Sequence, residues 1–168
     1  MKLFKYLSLV TVITLTAIFL NSCEKDDICV DGTTPLMVVE FYDFEDKETR
    51  KDPSNLIVTA LLDDDTFGDI ITNTATDSLN IPLRIEELTT VYSFSTNTTT
   101  DEANDNVDII TFNYTTNDLF ISRACGFIVN YENLSAELTI DELNWIKEVE
   151  IANAVIENQT TTHVKIYH

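Results

Sequence analysis

Thr89-Thr90-Val91-Tyr92-Ser93-Phe94-Ser95-Thr96-Asn97 is the stretch from which the fold follows. Val91, Ser93 and Ser95 alternate with Tyr92 and Phe94, so one face is wet and the other dry, the signature of a half-buried strand. A polar loop, Thr98 to Asn106, separates it from Val107-Asp108-Ile109-Ile110-Thr111-Phe112-Asn113-Tyr114. Two such runs with a polar connection predict an antiparallel hairpin with a long loop.

Working outward, the same grammar recurs. Upstream, Leu36-Met37-Val38-Val39-Glu40-Phe41-Tyr42-Asp43-Phe44 is apolar nearly throughout and reads as a central strand, opened by Thr33-Thr34-Pro35. Asp52-Pro53 marks a turn, Leu56 to Leu62 a second strand, and Ile70-Ile71 a short edge strand. In Leu79-Asn80-Ile81-Pro82-Leu83, Pro82 lacks an amide donor, which places the segment at an edge or bulge. Downstream, Leu119 to Ser122 and Cys125 to Tyr131 read as two more strands, with Gly126 suggesting a bulge or a close backbone approach. Ile140 to Glu157 fits two patterns. Leu143, Ile146, Val149, Ala152 and Ile156 would line a helix capped by Asp141, while period-two alternation over Trp145 to Ile151 favours strand. The surrounding grammar tips it to strand, and Thr162 to Tyr167 closes the chain as a last one. The expected fold is all-β, an antiparallel β-sandwich of seven to nine strands.

Composition agrees. Apolar residues make up 44% of the chain and 16 are aromatic, too many for a disordered tail. Only three glycines and three prolines are present, and threonine is frequent, which suits pleated sheet. Residues 1–22 hold two lysines and no acid. The 146 residues that follow carry 8 basic and 29 acidic groups, a formal charge of −21. That field repels nucleic acid and anionic headgroups, so neither is an expected partner.

The start of the chain has another character. Lys2 and Lys5 precede an apolar run from Leu7 to Leu20, broken only by Ser8 and three threonines. At 14 residues the run is short of the roughly 20 needed to span a bilayer. Leu20-Asn21-Ser22-Cys23 resembles the lipobox of bacterial lipoproteins, although Asn21 departs from the commoner alanine or serine. The resemblance implies a signal peptide over 1–22, cleavage before Cys23, and acylation of that cysteine, so that the membrane is held through lipid. Each chain contributes ~0.8 kcal/mol per buried CH₂, and two or three anchor a protein without a transmembrane helix. Glu24, Lys25, Asp26 and Asp27 resemble the lipoprotein export signal of the Bacteroidota, which implies an outer-membrane position at the cell surface. A plain charged tether facing the periplasm is the alternative. The expected division is signal peptide 1–22, acidic tether 23–34 and sandwich 35–168.

With Cys23 assigned to lipid, Cys29 and Cys125 remain. In an oxidising compartment an even pair suggests a disulfide; two separate buried thiols are the alternative. Beyond Cys29 the order of features resembles a family of uncharacterised Bacteroidota lipoproteins with a domain of unknown function. Asp27-Ile28-Cys29, Thr34-Pro35, Ile81-Pro82-Leu83 (Leu-Pro-Leu in the family), Cys125-Gly126-Phe127 with Tyr131, and His163-Val164-Lys165-Ile166 carry the likeness. It implies an outer-membrane lipoprotein with an outer-membrane barrel protein as functional neighbour, and it carries no activity over to this chain.

Candidates for chemistry are weak. His163 and His168 are the only histidines and have no nucleophile motif beside them. Paired carboxylates suited to glycoside hydrolysis arise by chance among 29 acids. Asp63-Asp64-Asp65-Thr66-Phe67-Gly68-Asp69 begins like a calcium loop but has Phe67 at its fifth position and Thr74 where a bidentate glutamate belongs. Asp101 to Asp108 has oxygen ligands without a recognised spacing. Asp77-Ser78-Leu79 matches a loose acceptor motif that makes Ser78 a candidate for O-glycosylation. Tyr92, Tyr114, Tyr131, Trp145 and Tyr167 would serve as a sugar-stacking platform or, more simply, as core. No catalytic residue, metal or cofactor is expected. The expected function is that of a non-catalytic accessory lipoprotein of an envelope complex, with a glycan- or calcium-binding surface module as the alternative.

Overall fold

Nine strands make up the regular structure: β1 (Met37–Tyr42), β2 (Leu56–Leu61), β3 (Phe67–Thr74), β4 (Ser78–Ile81), β5 (Thr89–Thr96), β6 (Asn106–Ser122), β7 (Gly126–Leu138), β8 (Glu148–Ile151) and β9 (Val164–Tyr167). They come from a computed structural model that describes Cys29 and residues 32–62, 66–74, 76–96 and 106–168. The leader 1–22, Cys23, Glu24 to Asp27 and the acidic runs at 63–65 and 101–105 lie outside the described residues.

The strands form two sheets, ordered β4-β1-β9-β8 and β3-β2-β5-β6-β7. The fold is an all-β sandwich, and the inward residues of both sheets share one core. Of the period-two pattern at Thr89 the dry face holds, with Tyr92 and Phe94 buried. The other face is not wet throughout, because Ser93 is buried too in a strand that lies between β2 and β6. β5 pairs with β6 from Thr89↔Asn113 to Thr96↔Asn106. β1 is buried on both faces from Met37 to Phe41, as an unbroken apolar run in a central strand should be. Its neighbours are β4, antiparallel, and β9, parallel, the one parallel pairing between the named strands. β4 stops at Ile81, so Pro82 lies just past the end of an edge strand and removes no ladder bond.

Two expectations need correction. The runs at 107–114 and 119–122 are one 17-residue strand, because Thr115 to Phe120 find partners in Phe127 to Glu132, across a register shift beside Asn113. Neither a helix nor a long strand occupies Ile140 to Glu157. Asp141 and Asn144 cross-bond into a tight turn, with the Leu143 amide donating to Asp141 Oδ1 at 2.7 Å and the Asp141 amide to Asn144 Oδ1 at 2.6 Å. Only Glu148–Ile151 is then strand.

Candidate functional site

The feature that sets this sandwich apart is the outer half of the β6–β7 hairpin. β5 pairs with β6 only as far as Asn113, and β7 is bridged on its other side by Ile156 at Tyr131, so residues 117–130 run on as a two-stranded ribbon. The segment before β1 is strapped along that ribbon. Thr34 Oγ1 accepts the Val129 amide at 3.1 Å, Gly32 lies against Ile121, and Cys29 is disulfide-bonded to Cys125. Three attachments thus lead the chain from the base of the sandwich to the ribbon's tip. At the tip Gly126 has φ +71°, and a Cβ there would meet nothing within 4 Å. The backbone turn, not a close approach, is what demands glycine. Beside it Phe120 and Phe127 face each other in register, ring centroids 5.2 Å apart and edge to face. They are 55% and 68% exposed, and Leu119 is 46% exposed.

Three tyrosines brace the ribbon's root. The hydroxyls of Tyr92, Tyr131 and Tyr114 donate to the consecutive carbonyls of Pro82, Leu83 and Arg84, the last two at 3.1 and 2.8 Å. Burial pushes all three phenols above their ordinary range, Tyr131 to about 12. These rings are core, and so is Tyr167. Trp145 stacks on Phe41 and donates its indole N–H to the Phe94 carbonyl at 3.1 Å. The aromatic set therefore forms no surface platform for a sugar.

The remaining polar candidates are also tied into the structure. His163 is fully buried, and its Nδ1 accepts the Val38 amide at 2.9 Å. Burial holds its pKa below the ordinary value. Asp108, from the second acidic run, is buried in β6, where its Oδ2 accepts the Ile146 amide at 2.7 Å. Ser78 is half-buried at the start of edge strand β4, opposite Glu40. Asp77 beside it pairs with Arg50, which also grips the buried Glu40 carboxylate, itself bonded by the Tyr42 hydroxyl at 2.8 Å. Among the described residues no cluster of His, Cys, Asp or Glu is arranged to hold a metal.

Reasoning from sequence missed Leu119, Phe120 and Phe127. A signal was present: Leu119 to Val129 contains no acid and one arginine in a strongly acidic chain.

A two-sheet sandwich with a strapped, projecting ribbon is thus the class that the geometry defines. Residues 55–168 match the family described as a family of unknown function (DUF6452), and the chain belongs to it. The match begins at the turn before β2, so β1 and Cys29 stand outside it. No curated protein and no solved structure matches the chain.

Proposed function

We propose that the protein is a non-catalytic accessory lipoprotein of the outer membrane, held by acyl chains on Cys23 and displayed at the cell surface beside a membrane-embedded barrel protein. The observation that supports it is the covalent strap. A lipobox-like cysteine lies six positions before Cys29, and Cys29 is bonded to Cys125 in the body. A disulfide of this kind belongs to an oxidising, exported setting. It also fixes the root of the anchor to a rigid element rather than to a loose linker.

Mass spectrometry of protein purified from membranes tests the anchor. A chain beginning at Cys23 with added hydrocarbon mass is expected; an intact initiator methionine with no such mass overturns the reading. Protease shaving of intact cells tests display: loss of the chain supports the outer face, and survival until the cells are broken places it on the periplasmic side. Crosslinking in intact cells followed by identification of the adduct tests the barrel neighbour.

A further inference from the structure

We propose that the tip of the β6–β7 hairpin is a second, non-covalent contact with the same bilayer, in which Leu119, Phe120 and Phe127 enter the boundary between headgroups and acyl chains. The proposal rests on the lipid-anchor reading of Cys23.

Reach comes first. Five residues separate Cys23 from Cys29, so a fully extended tether spans at most about 22 Å. Cys29 is bonded to Cys125, two residues from Phe127. A lipid embedded at Cys23 therefore keeps this tip within one short tether of the membrane, whatever path the tether takes. The far end of the molecule has no such restraint: β6 is 17 residues long, about 55 Å from Asn106 to Ser122.

Chemistry points the same way. Adjacent residues Leu119 and Phe120 project from opposite faces of a strand, and both are exposed, so the ribbon presents apolar surface on its two sides. An edge-to-face phenylalanine pair left this open is unusual on a soluble surface, and aromatic rings favour the interfacial zone. From Leu119 to Val129 the only charge is Arg123, whose long stem lets it sit at headgroup level. The rest of the chain from Cys23 onward carries 29 acids against 7 other basic residues. That charge holds the body off an anionic surface and leaves the tip as the part able to enter. It also disfavours a second copy on the patch, since two such chains repel.

The test uses the full lipidated protein, its acylation verified by intact mass, reconstituted into phosphatidylcholine vesicles. Phe127→Trp and Phe120→Trp are compared with Leu143→Trp, which replaces an exposed residue beside the start of β6, and with the parent for the Trp145 background. The expected result is a blue shift and strong quenching by shallow brominated lipid for the two tip variants, with neither for Leu143→Trp. Acylated protein whose tip indoles are unquenched overturns the proposal and leaves the anchor standing. Equal quenching at all three positions overturns it too, because the molecule then has no oriented tip. A blue shift without quenching, together with a dimer by light scattering in detergent, assigns the patch to a second copy instead. Absence of acyl mass fails the anchor reading first, and this proposal with it.

Discussion

His163 satisfies both main-chain groups of Val38: its amide donates to the Val38 carbonyl at 3.0 Å and its Nδ1 accepts the Val38 amide at 2.9 Å. Nδ1 must therefore be unprotonated, and burial favours the neutral ring. The unfolded chain takes up a proton below about pH 6.5 while the folded one resists, so stability falls as pH drops through that value. His168, also lowered by burial, adds the same sign. Asp108, its carboxyl raised by burial, slopes the other way at lower pH, so the histidine contribution is read on the neutral side of the carboxylate range. His163→Phe leaves the Val38 amide buried without an acceptor, an expected loss of ~1–3 kcal/mol at neutral pH. Denaturant midpoints between about pH 5 and 8 should then show a shallower acid slope, with His168 supplying what remains. An unchanged slope would remove His163 from the account. Tyr131 gives the alkaline counterpart. With its phenol raised from 10.0 to about 12, its contribution is intact below 10 and is lost as pH rises through 12. Tyr131→Phe should cost ~1 kcal/mol at neutral pH, by orphaning the Leu83 carbonyl, and should weaken the alkaline loss. A midpoint matching the parent at both pH values would show that the hydroxyl matters little.

At the scale of elements, the ribbon and its strap stand together. The disulfide joins residues 96 positions apart, and in the chain-entropy model that limits the unfolded state by at most ~5 kcal/mol. Cys29→Ser with Cys125→Ser should lower the melting temperature and, more tellingly, speed hydrogen exchange of the Val129 amide, whose acceptor Thr34 lies on the strap. If that amide keeps its protection, the strap holds without the bridge. Gly126→Ala should cost ~1 kcal/mol through its left-handed backbone alone, because the added methyl meets nothing. How much of this was legible depended on how local the signal was. β5, the first half of β6 and the two-sided burial of β1 follow from period and composition within a few residues. The fused β6 does not, because Asn117-Asp118 look like a turn until they are seen opposite Asn130 and Val129. The turn at Asp141 to Asn144 was hidden for a similar reason: side-chain bonding to the backbone competed with both periodicities. The exposed rings at the tip looked like ordinary strand residues, since the pattern says which residues are apolar but not how far the ribbon outruns its neighbours.

At the scale of the molecule, the strands nearest the two ends of the described chain meet side by side, β1 against β9 in parallel, so the smaller sheet closes only after the last strand arrives. Removing residues 164–168 takes away buried Val164, Ile166 and Tyr167 and should leave a chain without the cooperative unfolding transition of the parent in circular dichroism. The charge balance sets a further property. Twenty-nine acids against eight bases from Cys23 onward make the folded body repel itself. Ion pairs oppose this, among them Lys51–Asp43 at 2.9 Å, Arg84–Glu87 at 3.1 Å and Lys47–Glu148 at 2.5 Å. Exposed pairs of that kind contribute little, and salt screens them as well. With eight bases to engage, at least 21 acids stay unneutralised, so repulsion should win. Raising potassium chloride from about 0.01 to 0.15 M shortens the screening length from ~30 to ~8 Å and should raise the melting temperature, with little further gain beyond. A falling temperature would show the pairs dominate. Calcium chloride at matched ionic strength sharpens the comparison, because screening alone predicts about the same gain. A larger, saturable rise with calcium would mean that the folded state binds the ion, since only ligands that prefer that state add stability by mass action.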